Sequence, residues 1–252
     1  MHTDQSHAWY LGIQFSSLLM DPLIEELKAL SASDHFSFVV TPNVDHVVRL
    51  YEGDDHDVKA AFMAAYRSAH LRVCDSRILQ LLAKWRGVEL VVVPGSDLTA
   101  QLFDGGHLDG RSVALVGGEE NTVELLQEKY PYVSLIQLRP PMGLLRNKAA
   151  QDEVIAFVKE SKCDFTLFAV GAPQSEIIAD LCYKDSQARG VGLCVGASVE
   201  FITGIKKRAP AWMQRARLEW AFRLLSEPRR LWRRYLLMGP KIIRISRLEM
   251  KG

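Results

Sequence analysis

Short apolar segments alternate with longer amphipathic segments along most of this chain, and this alternation restricts the possible folds more than any other feature. The short segments are rich in β-branched residues, as is typical of strands buried on both faces of a sheet. The longer segments have the spacing of helices with one apolar face. Strands are predicted at Phe36–Val40, Leu71–Cys74, Leu90–Val93, Val113–Val116, Ser134–Leu138, Thr166–Val170 and Gly192–Val195. Helices are predicted near Asp57–Ala69, Arg77–Trp85, Thr122–Lys129, Lys148–Glu160 and Ser175–Gln187.

This order of elements predicts an α/β fold, in which a Rossmann-like parallel sheet carries helices on both faces. Residues 1–204 are predicted to form this core, with two βαβ halves that meet near residues 104–110. Glycine and proline predict loops at Val93–Ser96, Asp104–His107 and Pro140–Gly143. After Gly204 the alternation stops, and residues 205–252 are predicted to form a C-terminal basic helical appendage.

The composition excludes several classes of protein. The chain has 252 residues, of which 48% are hydrophobic, so it can bury a substantial core and is not a disordered polymer. Its four cysteines form no Cys-x-x-Cys pair and are predicted to be reduced core thiols. The chain does not begin with a basic segment followed by an apolar run, and no apolar run approaches about 18 residues. We therefore expect a cytoplasmic protein whose contact with a membrane is peripheral.

The positive charge of the chain is concentrated in its last fifth. Thirteen lysines and arginines between residues 206 and 247 are accompanied by only two acidic residues, although the net charge of the chain is +1. On a helical wheel, Arg230, Arg233 and Arg234 share one side, while Leu231 and Tyr235 recur on the other. Because clustered arginines repel one another, an anionic partner stabilises them. Contact with an anionic lipid surface or a pyrophosphate group is predicted for Arg229, Arg233, Arg234 and Trp232.

Polar residues and glycines follow the predicted strands, at the edge where ligands bind in open parallel sheets. Such glycines let backbone amides approach a phosphate group closely. The segments are Thr41-Pro42-Asn43, Asp75-Ser76, Gly117-Gly118-Glu119, Gly171-Ala172-Pro173-Gln174-Ser175-Glu176 and Gly196-Ala197-Ser198. Purely structural interpretations remain open for them. Gly117-Gly118 is also typical of a tight turn, and Asn43 or Asp75 could cap the helix that follows.

One acidic segment raises the question of a metal ion. Asp55-His56-Asp57 has the carboxylate-x-carboxylate spacing of many divalent-metal sites. The segment directly precedes a predicted helix, however, where capping and the helix dipole favour acidic residues. The histidines of the chain form no i, i+4 pair that could bind a metal. We therefore predict no metal site and no cofactor.

An ordered series of motifs resembles the bacterial WecG/TagA/CpsF family of glycosyltransferases over most of the chain. The motifs are Thr41-Pro42-Asn43-Val44, Asp75, Gly95-Ser96-Asp97-Leu98, Gly171-Ala172-Pro173 with Glu176, Val195-Gly196-Ala197, Gly204-x-x-Lys207-Arg208-Ala209-Pro210-x-Trp212, Leu218-Glu219-Trp220-x-x-Arg223-Leu224 and Glu227-Pro228-x-Arg230. The motifs of the basic end are the most specific part of the resemblance.

The resemblance implies an inverting glycosyltransferase that needs no metal ion. Such an enzyme moves a hexose or an N-acetylhexosamine-type sugar from a UDP-sugar to a saccharide on polyprenyl diphosphate. The resemblance places this reaction in the biosynthesis of cell-surface polysaccharides, at the inner face of the bacterial cytoplasmic membrane. It implies an anionic membrane surface as a partner and leaves self-association into a homo-oligomer open.

The resemblance also assigns roles to residues. Asp75 is similar in position to the proposed catalytic base of the family, and the arginine-rich end is implied to complete the active site. Substrate binding is predicted for Thr41, Asn43, Gly171, Gln174, Glu176, Gly196, Arg208, Arg223 and Arg230.

The chain departs from the family pattern at four places. Ser76-Arg77 follows the presumed base, where many members have a glycine. Ser175 occupies the usual glutamine position, so that Gln174 is the candidate for a replacement amide. Glu200 stands where an aspartate is common, and Val91–Val93 stands where many relatives carry an arginine. These changes bear on the identity of the donor more than on the type of reaction.

Two other functions remain open on the sequence alone. A non-catalytic nucleotide-binding protein of a polysaccharide assembly complex would use the basic end to dock onto its partner. A nucleic-acid-binding protein would place the arginines on phosphates, but the chain has no recognised nucleic-acid motif, and no such partner is expected.

A purely structural interpretation also remains open for part of the basic end. The segment 211–225 could be a solvated helix that packs on the core through Leu218, Phe222 and Leu225.

Overall fold

The computed structural model describes residues 7–185, 187–206 and 238–248, together with residues 210, 213, 222 and 225. Six parallel strands form the central sheet, in the order β4-β3-β8-β7-β5-β6. Two further strands form a separate antiparallel hairpin. The strands are β1 (His7–Tyr10), β2 (Ile13–Ser16), β3 (Ser37–Val40), β4 (Leu71–Arg72), β5 (Ser112–Gly117), β6 (Ser134–Leu138), β7 (Phe165–Ala169) and β8 (Val191–Cys194).

Helices connect the parallel strands, as crossovers between such strands require. The helices are α1 (Met20–Ser31), α2 (Val44–Glu52), α3 (His56–Ser68), α4 (Arg77–Lys84), α5 (Gly95–Asp104), α6 (Thr122–Lys129), α7 (Lys148–Ser161), α8 (Gln174–Lys184), α9 (Ser198–Ile202) and α10 (Met238–Leu248), with a short 3₁₀ helix at Leu144–Arg146. None of the helices among the described residues is long and apolar enough to cross a membrane. The predicted Rossmann-like α/β fold is confirmed.

The sheet is buried on both faces because successive residues of a strand point to opposite sides. On β3, Phe38 belongs to one apolar cluster and Val39 to the other. Helices α3, α7 and α8 cover the first face through residues such as Phe62 and Ile178, while α1, α5 and α6 cover the second through residues such as Leu98. Burial of each large apolar side chain stabilises the fold by roughly 1.5–3 kcal/mol. These two layers hold the strand ends, and the loops that follow them, in fixed positions.

One predicted strand and part of one predicted loop are wrong. The segment Leu90–Val93 makes only an isolated bridge with Cys74 and does not form a strand. Pro94 ends this extended segment because it has no amide hydrogen with which to continue a ladder. Helix α5 then begins at Gly95, inside the loop predicted at Val93–Ser96.

Helix α10 attaches the last described part of the chain to the core. Its Ile242 and Ile245 side chains are only 1% and 2% exposed. Lys241 forms an ion pair of 3.1 Å with Glu52 at the end of α2, and Arg244 pairs with the same carboxylate. Two cations of the basic end, Lys241 and Arg244, therefore form ion pairs with a carboxylate of the core. The separate appendage remains a prediction, but its final helix is part of the packed structure.

Candidate active site

The loops that follow neighbouring strands meet at the carboxyl edge of the sheet. The Thr41 hydroxyl after β3 donates a hydrogen bond of 2.9 Å to the Cys194 carbonyl at the end of β8. The Asp75 amide after β4 donates to the Pro42 carbonyl at 3.0 Å. These bonds join the loops after β4, β3 and β8 into one surface. The sheet thus brings together polar residues that lie far apart in the sequence.

Asp75 lies on this edge, and its side chain is partly exposed. It does not cap α4, because the Ser76 hydroxyl oxygen accepts the hydrogen bond from the Leu79 amide at 3.2 Å. The capping interpretation of Asp75 is therefore wrong. Burial raises the pKa of the Tyr66 hydroxyl, and the negative charge of Asp75 adds to this rise. A partly exposed carboxylate at a strand end can accept a proton from a bound hydroxyl group.

Asn43 and Thr41 both make structural hydrogen bonds at the end of β3. The Asn43 side-chain oxygen accepts from the amides of Asp45 at 3.0 Å and His46 at 3.4 Å, which confirms the capping interpretation. The Asn43 side chain is nevertheless partly exposed, whereas Thr41 is 6% exposed. Because the cap fixes the orientation of Asn43, its amide group is held at the edge, where a ligand could reach it.

The turn after β7 carries Gly171 and Gln174 to the same edge. Gly171 has a φ of +78°, and the Ala172–Pro173 peptide bond is cis. The Gln174 amide donates to the Val170 carbonyl at 3.0 Å, and its side chain is partly exposed. Ser175 is 1% exposed, and its hydroxyl donates to a backbone carbonyl of β7 at 3.2 Å. Gln174 is thus more accessible to a ligand than Ser175 is.

Glycines shape two other turns of this edge. Gly196 after β8 has a φ of +52°, and its amide donates to the Phe168 carbonyl at 3.3 Å. Gly117-Gly118 after β5 has φ values of +99° and +79°. The Gln137 side-chain amide closes this second turn by donating to the Gly117 carbonyl at 2.8 Å. Both glycines thus have the left-handed backbone conformation that a tight turn uses, and which role they play in the protein stays a prediction.

Glu176, His46 and Tyr66 form a buried polar cluster behind these loops. Glu176 is 2% exposed, and its Oε2 atom has no hydrogen-bond partner among the residues that the structure describes. Its Oε1 atom lies 4.0 Å from His46 Nε2, and His46 Nδ1 lies 2.9 Å from the Tyr66 hydroxyl. Burial raises the pKa of Glu176 to about 7. The cluster connects the start of α8 with α2 and α3, so Glu176 is placed to position the loops.

The sequence of this chain matches one family of known enzymes over nearly its whole length. The model of the glycosyl transferase WecG/TagA/CpsF family matches residues 8–251. This chain belongs to that family. Members of the family are glycosyltransferases, so the prediction of an enzyme is confirmed, and the two non-enzymatic alternatives give way to it.

Similar proteins occur in Staphylococcus aureus strains MW2, NCTC 8325 / PS 47 and COL. Each is named N-acetylglucosaminyldiphosphoundecaprenol N-acetyl-beta-D-mannosaminyltransferase. Each is 25% identical to this chain over 231 residues, which cover 88% of this chain and 86% of the relative. The family model, which matches residues 8–251, covers the sheet and all the strand-end loops described above.

Much of the basic end of this WecG/TagA/CpsF protein lies outside the described residues. The predicted site residues concerned are Arg208, Arg223, Arg230, Arg229, Arg233, Arg234 and Trp232. The segment that leads to them is described as far as Lys206, whose amide donates to the Glu200 carbonyl at 2.9 Å. The Lys206 ammonium group also pairs with the Glu200 carboxylate. Glu200, one of the departures from the family pattern, thus anchors the start of the basic end.

The acidic segment Asp55-His56-Asp57, whose spacing resembles a metal site, has a structural role in this family member. The Asp55 carboxylate accepts a hydrogen bond of 3.1 Å from the Val58 amide and caps α3, as the capping interpretation predicts. Across the described part of the chain, no three His, Cys, Asp or Glu side chains are grouped so that they could hold a metal ion. The four cysteines are free and buried, which confirms their prediction as core thiols.

Glu176 is expected to make the stability of this WecG/TagA/CpsF protein depend on pH. The unfolded chain loses the proton near the ordinary pKa of 4.5, whereas the folded chain keeps it until about 7. The stability from the neutral acid is therefore fully present below pH 4.5 and is lost as the pH rises through about 7. Between pH 5 and pH 8, the free energy of unfolding should fall by about 2 kcal/mol more in the wild type than in Glu176→Gln. Urea unfolding at both pH values measures this difference, and equal falls in the two proteins would contradict it.

Proposed function

We propose that this glycosyltransferase moves a hexose or an N-acetylhexosamine-type sugar from a UDP-sugar to a saccharide on polyprenyl diphosphate, with inversion at the anomeric carbon. The observation that carries the proposal is the position of Asp75, partly exposed and bonded through its amide to the Thr41-Pro42-Asn43 loop. The proposed setting is cell-surface polysaccharide biosynthesis at the inner face of the bacterial cytoplasmic membrane.

Asp75 is the proposed general base. Its carboxylate takes the proton of the acceptor hydroxyl while the hydroxyl oxygen forms a bond to the anomeric carbon. The bond between that carbon and the phosphate oxygen breaks, and UDP leaves with the bonding electrons. Because the acceptor attacks the face opposite the departing UDP, the anomeric configuration inverts.

The width of the sheet fits a nucleotide sugar. Three strand spacings separate β4, which precedes Asp75, from β7, which precedes Gly171. At about 4.8 Å for each spacing, the distance is roughly 14 Å, the length scale of an extended nucleotide sugar. Thr41, Asn43 and Gly196 follow the two strands in between. A donor lying across this edge would therefore pass Thr41, Asn43, Gly171, Gln174 and Gly196, for which substrate binding is predicted.

The negative charge of the departing diphosphate must be stabilised as it develops. Arg208, Arg223 and Arg230 are the proposed cationic groups, and backbone amides near Gly171 add hydrogen-bond donors. Contact with the membrane and with the lipid diphosphate is proposed for Arg229, Arg233, Arg234 and Trp232. Glu176 is too deeply buried to be exposed to the donor, so we assign it a role in positioning the turn after β7.

The names of the relatives suggest the first substrates to test. UDP-N-acetylmannosamine is mixed with a short-chain N-acetylglucosaminyl diphospholipid, other UDP-sugars are tested in parallel, and the released UDP is measured. The proposal expects UDP release that needs both the donor and the acceptor, and a disaccharide product of inverted configuration. If no UDP-sugar in the panel reacts with the lipid-linked acceptor, the proposed function is wrong.

A further inference from the structure

A cavity lies beside the β1–β2 hairpin. Its volume is about 630 Å³, within the range of pockets that bind small molecules. It is bounded by the β1–β2 hairpin, the end of α2 and one face of α3. None of the strand-end residues with predicted roles in sugar transfer lines it. The residues that line the cavity therefore differ from those proposed for sugar transfer, although Tyr66 of the cavity also contacts His46 in the buried polar cluster.

Three cations line this cavity, and no carboxylate does. Within the described part of the chain, Lys59, Arg67 and Arg72 form no ion pair with an acidic side chain. Arg72 donates to the backbone carbonyls of Tyr66 at 2.8 Å and Arg67 at 3.2 Å, and Lys59 donates to the Tyr51 carbonyl at 2.7 Å. Carbonyl oxygens therefore fix the Lys59 and Arg72 side chains, while the three positive charges have no acidic partner among the described residues.

The burial of Arg72 makes this lack of a counter-charge costly. Burial lowers the pKa of its guanidinium group, because a charge that is removed from water is destabilised. An anion in the cavity would offset that cost and accept charge-assisted hydrogen bonds. The positive charge of the cavity thus favours an anionic ligand over a neutral one.

The other walls of the cavity are apolar or aromatic. Leu50 and Met63 contribute apolar surface, and the rings of Trp9 and Tyr51 are 64% and 40% exposed. Exposed rings of this kind can cover the apolar part of a ligand. We propose that the cavity is a second binding site, for an organic phosphate that places its phosphate on Lys59, Arg67 and Arg72 and its apolar or aromatic part against these walls.

Calorimetric titration of the full chain tests this site. The probes are dihexanoyl phosphatidic acid, phenyl phosphate and the zwitterionic dihexanoyl phosphatidylcholine. They represent a lipid phosphate, a soluble aromatic phosphate and a matched lipid without net charge. Arg67→Gln is the test variant, because the Arg67 side chain is exposed and can be changed without disturbing the core. Lys84→Gln removes the same charge from an exposed position on α4 and serves as the control.

We expect at least one of the two anionic phosphates to bind, and Arg67→Gln to weaken its binding about tenfold or more. Lys84→Gln should bind as the wild type does, and Lys59→Gln should repeat the loss. The compound that binds identifies the ligand as a lipid phosphate or a soluble one. The proposal is overturned if neither phosphate binds, if Arg67→Gln binds as tightly as the wild type, or if phosphatidylcholine binds as well as phosphatidic acid. None of these results depends on sugar transfer.

Discussion

Asp75→Asn is expected to lower kcat by about a thousandfold, within the range that a general base contributes. The amide has nearly the shape of the carboxylate but cannot accept the proton of the attacking hydroxyl. Because the side chain is partly exposed and does not cap α4, the substitution should leave the fold and the affinity for UDP unchanged. The measurement is the rate of UDP release at saturating donor and acceptor, together with the dissociation constant for UDP.

The matched control is Asp54→Asn, which neutralises an exposed carboxylate in the loop before α3. It should retain wild-type turnover. Near-normal kcat in Asp75→Asn would remove Asp75 as the base. A loss of kcat that is accompanied by unfolding would assign the residue a structural role instead.

The second large effect is expected from the basic end. The triple variant Arg208→Gln, Arg223→Gln and Arg230→Gln should lower kcat/KM at least about a hundredfold, the loss typical of removing a preorganised donor to a developing anion. The comparison is a triple variant of three exposed lysines of the core, Lys84→Gln, Lys148→Gln and Lys162→Gln, with the same loss of charge. If both triple variants lose activity equally, net charge rather than the three arginines is responsible.

Substitution tests the basic end more sharply than deletion does. A deletion from residue 205 would also remove α10, whose Ile242 and Ile245 are almost fully buried. Replacing a buried isoleucine with alanine typically costs about 2–5 kcal/mol. An inactive truncation could therefore result from loss of stability, whereas the arginine variants leave α10 in place.

The most accurately predicted elements are those whose structure is determined by their local residue pattern. The strand Ser134–Leu138 and the helix Thr122–Lys129 were predicted with their observed bounds. Both pack on neighbours close in the sequence, and turn residues mark their ends. The strand-end edge was predictable for a related reason, because parallel strands joined by helices must end on the same side.

Other features depended on contacts that a local pattern does not contain. Leu90–Val93 has the composition of a strand, but it pairs only with Cys74 at the margin of the sheet before Pro94 interrupts it. The β1–β2 hairpin, α1 and α2 were missed, although Asn43 was recognised as a possible cap and would have marked the start of α2.

The buried polar cluster of the site could not be predicted from the sequence for the same reason. Its members come from α2, α3 and α8, and no spacing in the sequence relates Glu176 to His46 or Tyr66. The sequence motif indicated that Glu176 belongs to the turn after β7, but its burial follows only from the packing of α8 on α3. The prediction that Glu176 contacts the substrate therefore rested only on its place in the sequence motif.

A crystal structure of the protein with bound UDP would locate the donor site and the role of Asp75 together. We expect the diphosphate to lie over the loops after β3 and β8, with the Asp75 carboxylate facing the phosphate end where the sugar would be attached. UDP bound away from this edge of the sheet, or with Asp75 turned from the diphosphate, would contradict this expectation.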